Sequence, residues 1–393
     1  MNHPPRIRTV VTLGTAQTLA WASTYYLPAV LAAPMARALG VAPATVFAAF
    51  SVALVVAALL GPHAGAAIDR HGGRPVLMAS SLVFAAGLAG LALAPGVPAL
   101  FAAWMLLGVG MGSGLYEAAF AALVRLHGTQ SRGGITGITL IAGFASTVGW
   151  PLSAWLEARW GWRGACLAWA ALHLLLGLPL NAALPRVARL APAADAPGAP
   201  GAAPAAPPGL RTTALLSFVF AATWFISTAM AAHLPALLQA LGMSLAGAVA
   251  IGALIGPAQV GARLLEFGVL RRVHPLLSAR LAAALHPLGA LALALAGAPA
   301  AALFGVLHGA GNGILTIAKG TLPLVLFGPQ GYGQRQGLLM VPARIAQALA
   351  PWLFGLALQH WGRGALALSG GVGLAAFAAL WWLRAPAQGG TGR

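Results

Sequence analysis

Glu117, Lys319 and Arg344 are ionisable side chains set deep inside long apolar stretches of a 393-residue chain. Charge is costly in such surroundings, so each is a candidate for function. Glu117 stands eight residues before Arg125, about 12 Å along a helix at ~1.5 Å per residue. Two chemistries fit it. Beside a dry cavity, desolvation would favour the protonated carboxylic acid and make Glu117 a proton carrier. Facing Lys319 or Arg344, it would stay charged as one side of a gating salt bridge, and the two roles could alternate within one cycle. Arg344, in P-A-R-I-A-Q-A-L-A-P (342–351), cannot shed its proton and needs a partner. A bidentate anionic solute, Glu117 and backbone carbonyls compete for it.

A further charged group lies at 65–74, G-A-A-I-D-R-H-G-G-R, where Asp69, one of five acidic residues, is flanked by Arg70 and Arg74. The string reads as a tight turn between two apolar segments. Gly65 allows close approach, while Gly72 and Gly73 allow positive φ. Enzyme chemistry finds no footing. No nucleophile–base pair is visible, the ten histidines are scattered without acidic or thiol company, and neither metal nor cofactor is expected. Cys166 is the single cysteine, which excludes an internal disulfide. The string G-V-G-M-G-S-G at 108–114 follows no strand. It reads as helix packing through small-x-x-x-small pairs, not as a nucleotide loop.

The elements that must hold these groups are membrane helices. The chain is 60% hydrophobic and 7% charged, against about 25% charged in soluble domains. Most windows of about 20 residues carry no charge. Breaks at Gly, Pro and Arg clusters predict twelve spans, with cores at 9–32, 43–67, 75–94, 98–122, 133–155, 164–184, 213–238, 244–265, 276–297, 300–326, 336–358 and 365–384. A Pro/Ala-rich linker at 185–212 separates two bundles of six, 1–184 and 213–393. The first span, though preceded by Arg6 and Arg8, is too long for a signal peptide and reads as a retained helix. Fifteen arginines fall in the segments on one side of this topology and four, Arg37, Arg159, Arg163 and Arg363, on the other. Arginine excess marks the cytoplasmic side, which places both termini there. A net charge of +17 without any basic run gives no reason to expect nucleic acid.

The two halves repeat each other. L-P-A-V-L at 27–31 recurs as L-P-A-L-L at 234–238, and Gly61-Pro62 as Gly256-Pro257. G-V-G-M-G at 108–112 recurs as G-A-G-N-G at 309–313, and W-G-W-R-G-A at 160–165 as W-G-R-G-A at 361–365. The order is kept and the offsets stay between 195 and 207 residues.

Gly65, Asp69, Arg70, Gly72 and Arg74 match G-x-x-x-D-R-x-G-x-R, so the turn resembles the loop signature of the major facilitator superfamily. That resemblance implies an all-α membrane protein, twelve helices in two pseudo-symmetric six-helix bundles, with the substrate cavity between the halves. It implies that spans 1, 4, 7 and 10 line the cavity and spans 4, 5, 10 and 11 form the inner gate. Glu117, Lys319 and Arg344 would then meet near its cytoplasmic side. Cavity candidates are Gln17, Trp21, Thr24 and Tyr25 on span 1, and Thr223, Trp224 and Ser227 on span 7. His308 and Asn312 share a face of span 10. Plain helix packing is an equal reading for each.

The Asp69 turn has a counterpart, G-A-R-L-L-E at 261–266, with Glu266 where Asp69 stands and Arg263 about one turn before it. The resemblance assigns such acids to an inner conformational gate, bonded near the N-terminus of a helix of the other half. Drug/proton antiporters of the family carry G-P-x-x-G-G in span 5 and an arginine in span 4. Here span 5 offers only Gly134, Gly143 and Trp150-Pro151, and the arginine is missing. The expected protein is thus a proton-coupled, alternating-access transporter of a small organic anion or other metabolite. It is expected to work as a monomer in a bacterial inner membrane, with no acidic cluster to dehydrate sodium. Efflux of drugs or toxic compounds is the alternative within that class, and a non-transporting receptor the alternative outside it.

Overall fold

A backbone in lipid must satisfy its own hydrogen bonds, which leaves the helix as the form open to separate apolar segments. The computed structural model describes residues 7–187, 209–270 and 273–383. Among them there is no strand, and the α-helices are α1 (Ile7–Ser23), α2 (Leu27–Leu39), α3 (Pro43–His71), α4 (Gly73–Leu93), α5 (Val97–Gly114), α6 (Tyr116–His127), α7 (Arg132–Ala142), α8 (Ala145–Leu172), α9 (Leu178–Ala182), α10 (Leu210–Ala240), α11 (Leu245–Gly268), α12 (Pro275–Ala296), α13 (Ala301–Phe327), α14 (Tyr332–Trp361) and α15 (Ala365–Trp382). Most of the expected linker, at 188–208, lies outside the described residues, as do both extreme termini and Arg6, Arg189, Arg271, Arg272, Arg384 and Arg393.

Eight helical stretches are long and apolar enough to cross a membrane among the described residues. Two of them, Val97–Ala182 and Tyr332–Trp382, run through several helices. Several predicted spans are not single helices. The one expected at 9–32 breaks at 24–26, where Pro28 cannot donate to continue the ladder and Tyr26 N turns back to the Trp21 carbonyl at 3.1 Å. The one expected at 98–122 breaks at Leu115 (φ −86°, ψ −165°), directly after the weak helix formers Gly112 and Gly114. The one expected at 133–155 is interrupted at 143–144, after Ala142. Gly161, at φ 67°, then turns the chain inside α8, and one π-helical turn at His173–Gly177 precedes α9.

The described residues group into two units. The first is drawn from Met1–Ser131, Phe144–Ala214 and Pro329–Leu339, the second from Arg132–Gly143, Leu215–Gly328 and Met340–Arg393. Trp104, Trp169, Phe84 and Phe120 are fully buried in the first. In the second, Met230, Leu293, Phe304 and Phe354 anchor the core. Trp155, Trp160, Leu175, Trp352 and Trp382 stand exposed, the inverse of a water-soluble surface and suited to lipid.

One seam occurs twice. Gly108 and Gly112 of α5 press on α3, where an added Cβ would lie 2.5 Å from the Ala53 carbonyl oxygen and 2.9 Å from that of Ala57. Gly309 and Gly313 of α13 press on α11, where it would lie 2.7 Å from the Ile255 oxygen and 2.6 Å from that of Gln259. Small residues let helix backbones meet in lipid. The duplication read along the chain is therefore also a duplicated contact in space.

Candidate functional site

In the first unit the break at Leu115 starts a new helix, so Glu117 lies in the first turn of α6. The break also frees the Gly114 carbonyl, and the buried Gln17 takes it, donating through Nε2 at 2.7 Å. Thr24 Oγ1 donates to the Ala20 carbonyl at 2.6 Å. Trp21, 3% exposed, packs edge-on to Tyr25 with ring centroids 5.2 Å apart and lies 4.8 Å from the Tyr116 ring. The span-1 candidates thus divide into two that bond backbone and two in an aromatic cluster.

At the far end of α3, Gly61, Gly65 and Asp69 form one stripe, each four residues from the next. The first turns of α14 meet it. Asp69 Oδ1 accepts from Gly333 N and Oδ2 from Gln334 N, both at 2.9 Å. These are N–H groups that a helix N-terminus leaves without intrahelical partners. A Cβ on Gly65 would strike the Gly333 carbonyl, and one on Gly337 would lie 2.6 Å from that of Gly61. Arg125 Nε donates to the Asp69 backbone carbonyl at 3.1 Å. Tyr332, 1% exposed, has both Glu117 and Asp69 as charged neighbours. Gly72 takes φ 82° to turn the chain. Gly73 does not, contrary to expectation; it opens α4, where a side chain would collide with Ala122. Arg70 is exposed and Arg74 half-buried.

The second unit holds the bases. Lys319 is 6% exposed and Arg344 3%. Both lie on one ring: Lys319 Nζ is 4.0 Å and Arg344 Cζ 5.6 Å from the centroid of Trp224. Cation–π attraction offsets part of the loss of water around them. Arg344 Nη1 also donates to Gln347 Oε1 at 3.3 Å, a partner three residues along α14 that was not among the three expected for it. Ser227 stands half-buried on α10, and Thr223 Oγ1 donates to the Val219 carbonyl at 2.7 Å. The acid and the bases grouped together above fall in different units, Glu117 in the first and Lys319 with Arg344 in the second.

Glu266 and Arg263 sit on α11. Glu266 Oε1 pairs with Nη2 of Arg132, the first residue of α7, at 3.3 Å. Arg132 also donates to the Val273 carbonyl at 3.0 Å and the Leu270 carbonyl at 3.3 Å. Arg263 reaches the Thr139 carbonyl at 3.3 Å and the Gly313 carbonyl at 3.5 Å, tying α11 to α7 and α13. Arg132 stands one residue before the span expected at 133–155, among the fifteen arginines assigned to the cytoplasmic side. His308 of α13 faces His286 of α12, which no local pattern in the sequence pairs with it, and both line a small cavity together with Asn312. Among the described residues, no cluster of three or more His, Cys, Asp or Glu side chains could hold a metal ion.

The family model of the Major Facilitator Superfamily matches residues 13–300. A Thermoproteus tenax protein, described as an uncharacterized 38 kDa protein in a 23S RNA operon, is 35% identical over 154 residues. The match takes in 38% of this chain and 40% of that protein, so the chain spans about two fifths of the curated relative it matches. The crystal structure of the human organic anion transporter MFSD10 (TETRAN) superposes with a TM-score of 0.77 at 20% identity, over 96% of this chain and 100% of that one. FucP in its outward conformation gives 0.73 at 14% identity, over 95% and 98%. The proton:xylose symporter XylE gives 0.72 at 13% identity, over 95% of each chain. At these identities the likeness concerns the fold, which is shared nearly end to end.

Proposed function

The chain belongs to the major facilitator superfamily, an all-helical, multi-pass membrane fold, and on that premise we propose that it carries a small organic anion across a bacterial inner membrane, coupled to protons. The observation that carries this reading is the pair of buried cations, Lys319 and Arg344, on the ring of Trp224. Taking charge out of water costs several kcal/mol per ion. An anion could accept from both groups at once, with the planar guanidinium supplying a bidentate fork and the ammonium a point charge. The name of one structural neighbour, an organic anion transporter, points the same way.

Proton coupling is assigned to Glu117, which α6 presents in its first turn, near the buried Tyr332. Grouping α1 with α2, α5 with α6, α7 with the first part of α8, and the rest of α8 with α9 yields twelve spans. These form bundles 1–184 and 213–393 joined by 185–212, with both termini cytoplasmic and a monomer as the working unit. Asp69 and Glu266 serve as conformational gates.

The test is uptake by proteoliposomes under an imposed pH gradient, across a panel of small carboxylates and neutral analogues. Arg344→Gln should raise KM for a carboxylate roughly 10–100-fold, as losing a charged hydrogen bond of about 1.5–3 kcal/mol implies. It should leave a neutral solute nearly unchanged. Glu117→Gln should abolish gradient-driven uptake and spare counterflow exchange. Equal losses for charged and neutral solutes would remove the basis for an anionic substrate.

A further inference from the structure

His286 of α12 and His308 of α13 face each other inside the second unit, with Nδ1 atoms 3.0 Å apart. Both are more than nine-tenths buried. Phe304 stacks on the His308 ring (centroids 5.8 Å apart, planes 6° apart) and stands edge-on to His286 (5.6 Å, 63°). A bond between two Nδ1 atoms needs one N–H and one lone pair, so the neutral pair holds complementary tautomers. The ring donating through Nδ1 keeps a bare Nε2; its partner carries its proton on Nε2. His286 Nε2 is buried and holds no hydrogen bond of good geometry among the described residues, and the Ser369 backbone is placed to accept from that ring once it is protonated. Against both rings lies a cavity of about 30 Å³, lined also by Thr223 and Asn312. A water needs about 10–15 Å³ measured in this way, so two fit.

A pair that only filled space would have little use for an open nitrogen, because an unsatisfied buried polar group costs about 1–3 kcal/mol. We propose that His286 and His308 form a proton-binding site within the second unit. Hydronium reaching the cavity transfers its proton to the bare Nε2 and leaves as water. The cation is then shared over both rings through the Nδ1–H···Nδ1 bond. A second proton would set two cations about 3 Å apart, so the pair titrates as one unit. Other charges on the surrounding helices are turned elsewhere. Arg280 of α12 is held by the Leu380 and Leu383 carbonyls, and Lys319, eleven residues along α13 from His308, lies over Trp224. α10 and α15 meet the cavity with Thr223, Ile226, Gly373 and Ala376, none of which titrates. The site adds a second proton locus to Glu117 and rests on the transporter reading only for its part in transport.

Protein labelled with ¹⁵N-histidine, in lipid nanodiscs, is titrated by NMR from about pH 8 to 4. The expected result at high pH is one Nδ1–H and one Nε2–H imidazole, bonded to each other. One proton should then be taken up, with both signals moving together. His286→Phe should remove that step. His308→Asn should remove it too while keeping a hydrogen-bonding side chain, with an unchanged melting temperature as the check on folding. Two imidazoles that stay neutral throughout, or a step that persists in both variants, would overturn the proposal. Carboxylate uptake measured in parallel separates the two ideas. Gradient-driven uptake with a pair that does not titrate sinks the proton site alone; a titrating pair with no uptake of any carboxylate sinks the transport reading alone.

Discussion

Asp69 in the first unit and Glu266 in the second occupy matching places in the duplicated sequence, yet they are bonded differently. Asp69 engages two backbone N–H groups at the start of α14, both at 2.9 Å. Glu266 engages one guanidinium at the start of α7, at 3.3 Å. Backbone donors are fixed by their helix, so the Asp69 bonds exist only while Gly65 and Gly333 are in close contact. A side-chain pair can stretch with its rotamers and loosen by degrees. The same contrast extends to the helices. Spans 1 and 4 are each broken into two helices in the first unit, while α10 and α13, of 31 and 27 residues, run on in the second. The repeat kept its glycine seam and diverged where charge is handled: an acid at a helix break on one side, buried cations and paired imidazoles on the other.

Gly65 offers the largest effect by which to break this comparison. Gly65→Ala puts a methyl into the Gly333 carbonyl, and overpacking of that kind costs roughly 1–3 kcal/mol. Uptake should fall about tenfold or more. Its counterpart Gly261 has nothing within 4 Å of the corresponding position, so Gly261→Ala should keep uptake near normal. Similar losses in the two would show that both junctions are packed alike.

The acids themselves give an intermediate effect. Asp69→Asn keeps one acceptor but loses the charge, and should slow uptake several-fold without altering substrate preference. Glu266→Gln should do less, because Arg132 retains the Val273 and Leu270 carbonyls. Hydrogen exchange at the Gly333 and Gln334 amides should quicken in the first variant only.

His274 supplies the smallest effect. Its Nδ1 accepts from Leu276 N at 3.2 Å, at the N-terminus of α12. Burial, with the charges of Arg132 and Arg280, holds its imidazole below the ordinary value of 6.5. Folding lowers this pKa, so the neutral cap stabilises the folded form above about pH 6.5, and that stability is lost as pH falls through the lower folded value. Amide exchange at Leu276, corrected for its intrinsic pH dependence, should therefore rise on acidification. His274→Ala should be insensitive to the same change.

Much of this was legible in the chain because the repeat preserves residue identity. Gly108 with Gly309, and Gly112 with Gly313, could be paired by offset alone, and Lys319 and Arg344 stood out as charges in apolar surroundings. The break at Leu115 could not be read, since hydropathy does not register one residue leaving helical ψ and Leu115 is itself apolar. Gln17, which takes the freed Gly114 carbonyl, lies 97 positions from it. The imidazole pair escaped for a similar reason: His286 and His308 sit on different helices, 22 residues apart, where no spacing rule applies. Arg132 looked like a topological marker because nothing local distinguishes a loop arginine from one reaching Glu266.

The interruption at Leu115 makes α6 a lever with its fulcrum at that residue. α5 stays clamped to α3 through Gly108 and Gly112, while α6 is a separate piece of twelve residues. Glu117 rides close to the fulcrum and Arg125 near the free tip. A tilt of about 10° moves that tip by roughly 3 Å over ten residues of helix. Such a swing exceeds what the hydrogen bond from Arg125 to the Asp69 carbonyl, 3.1 Å long, can follow. A tilt of α6 would thus open both the Arg125–Asp69 bond and the close contact of Ala122 with Gly73, while the glycine seam between α5 and α3 stayed whole.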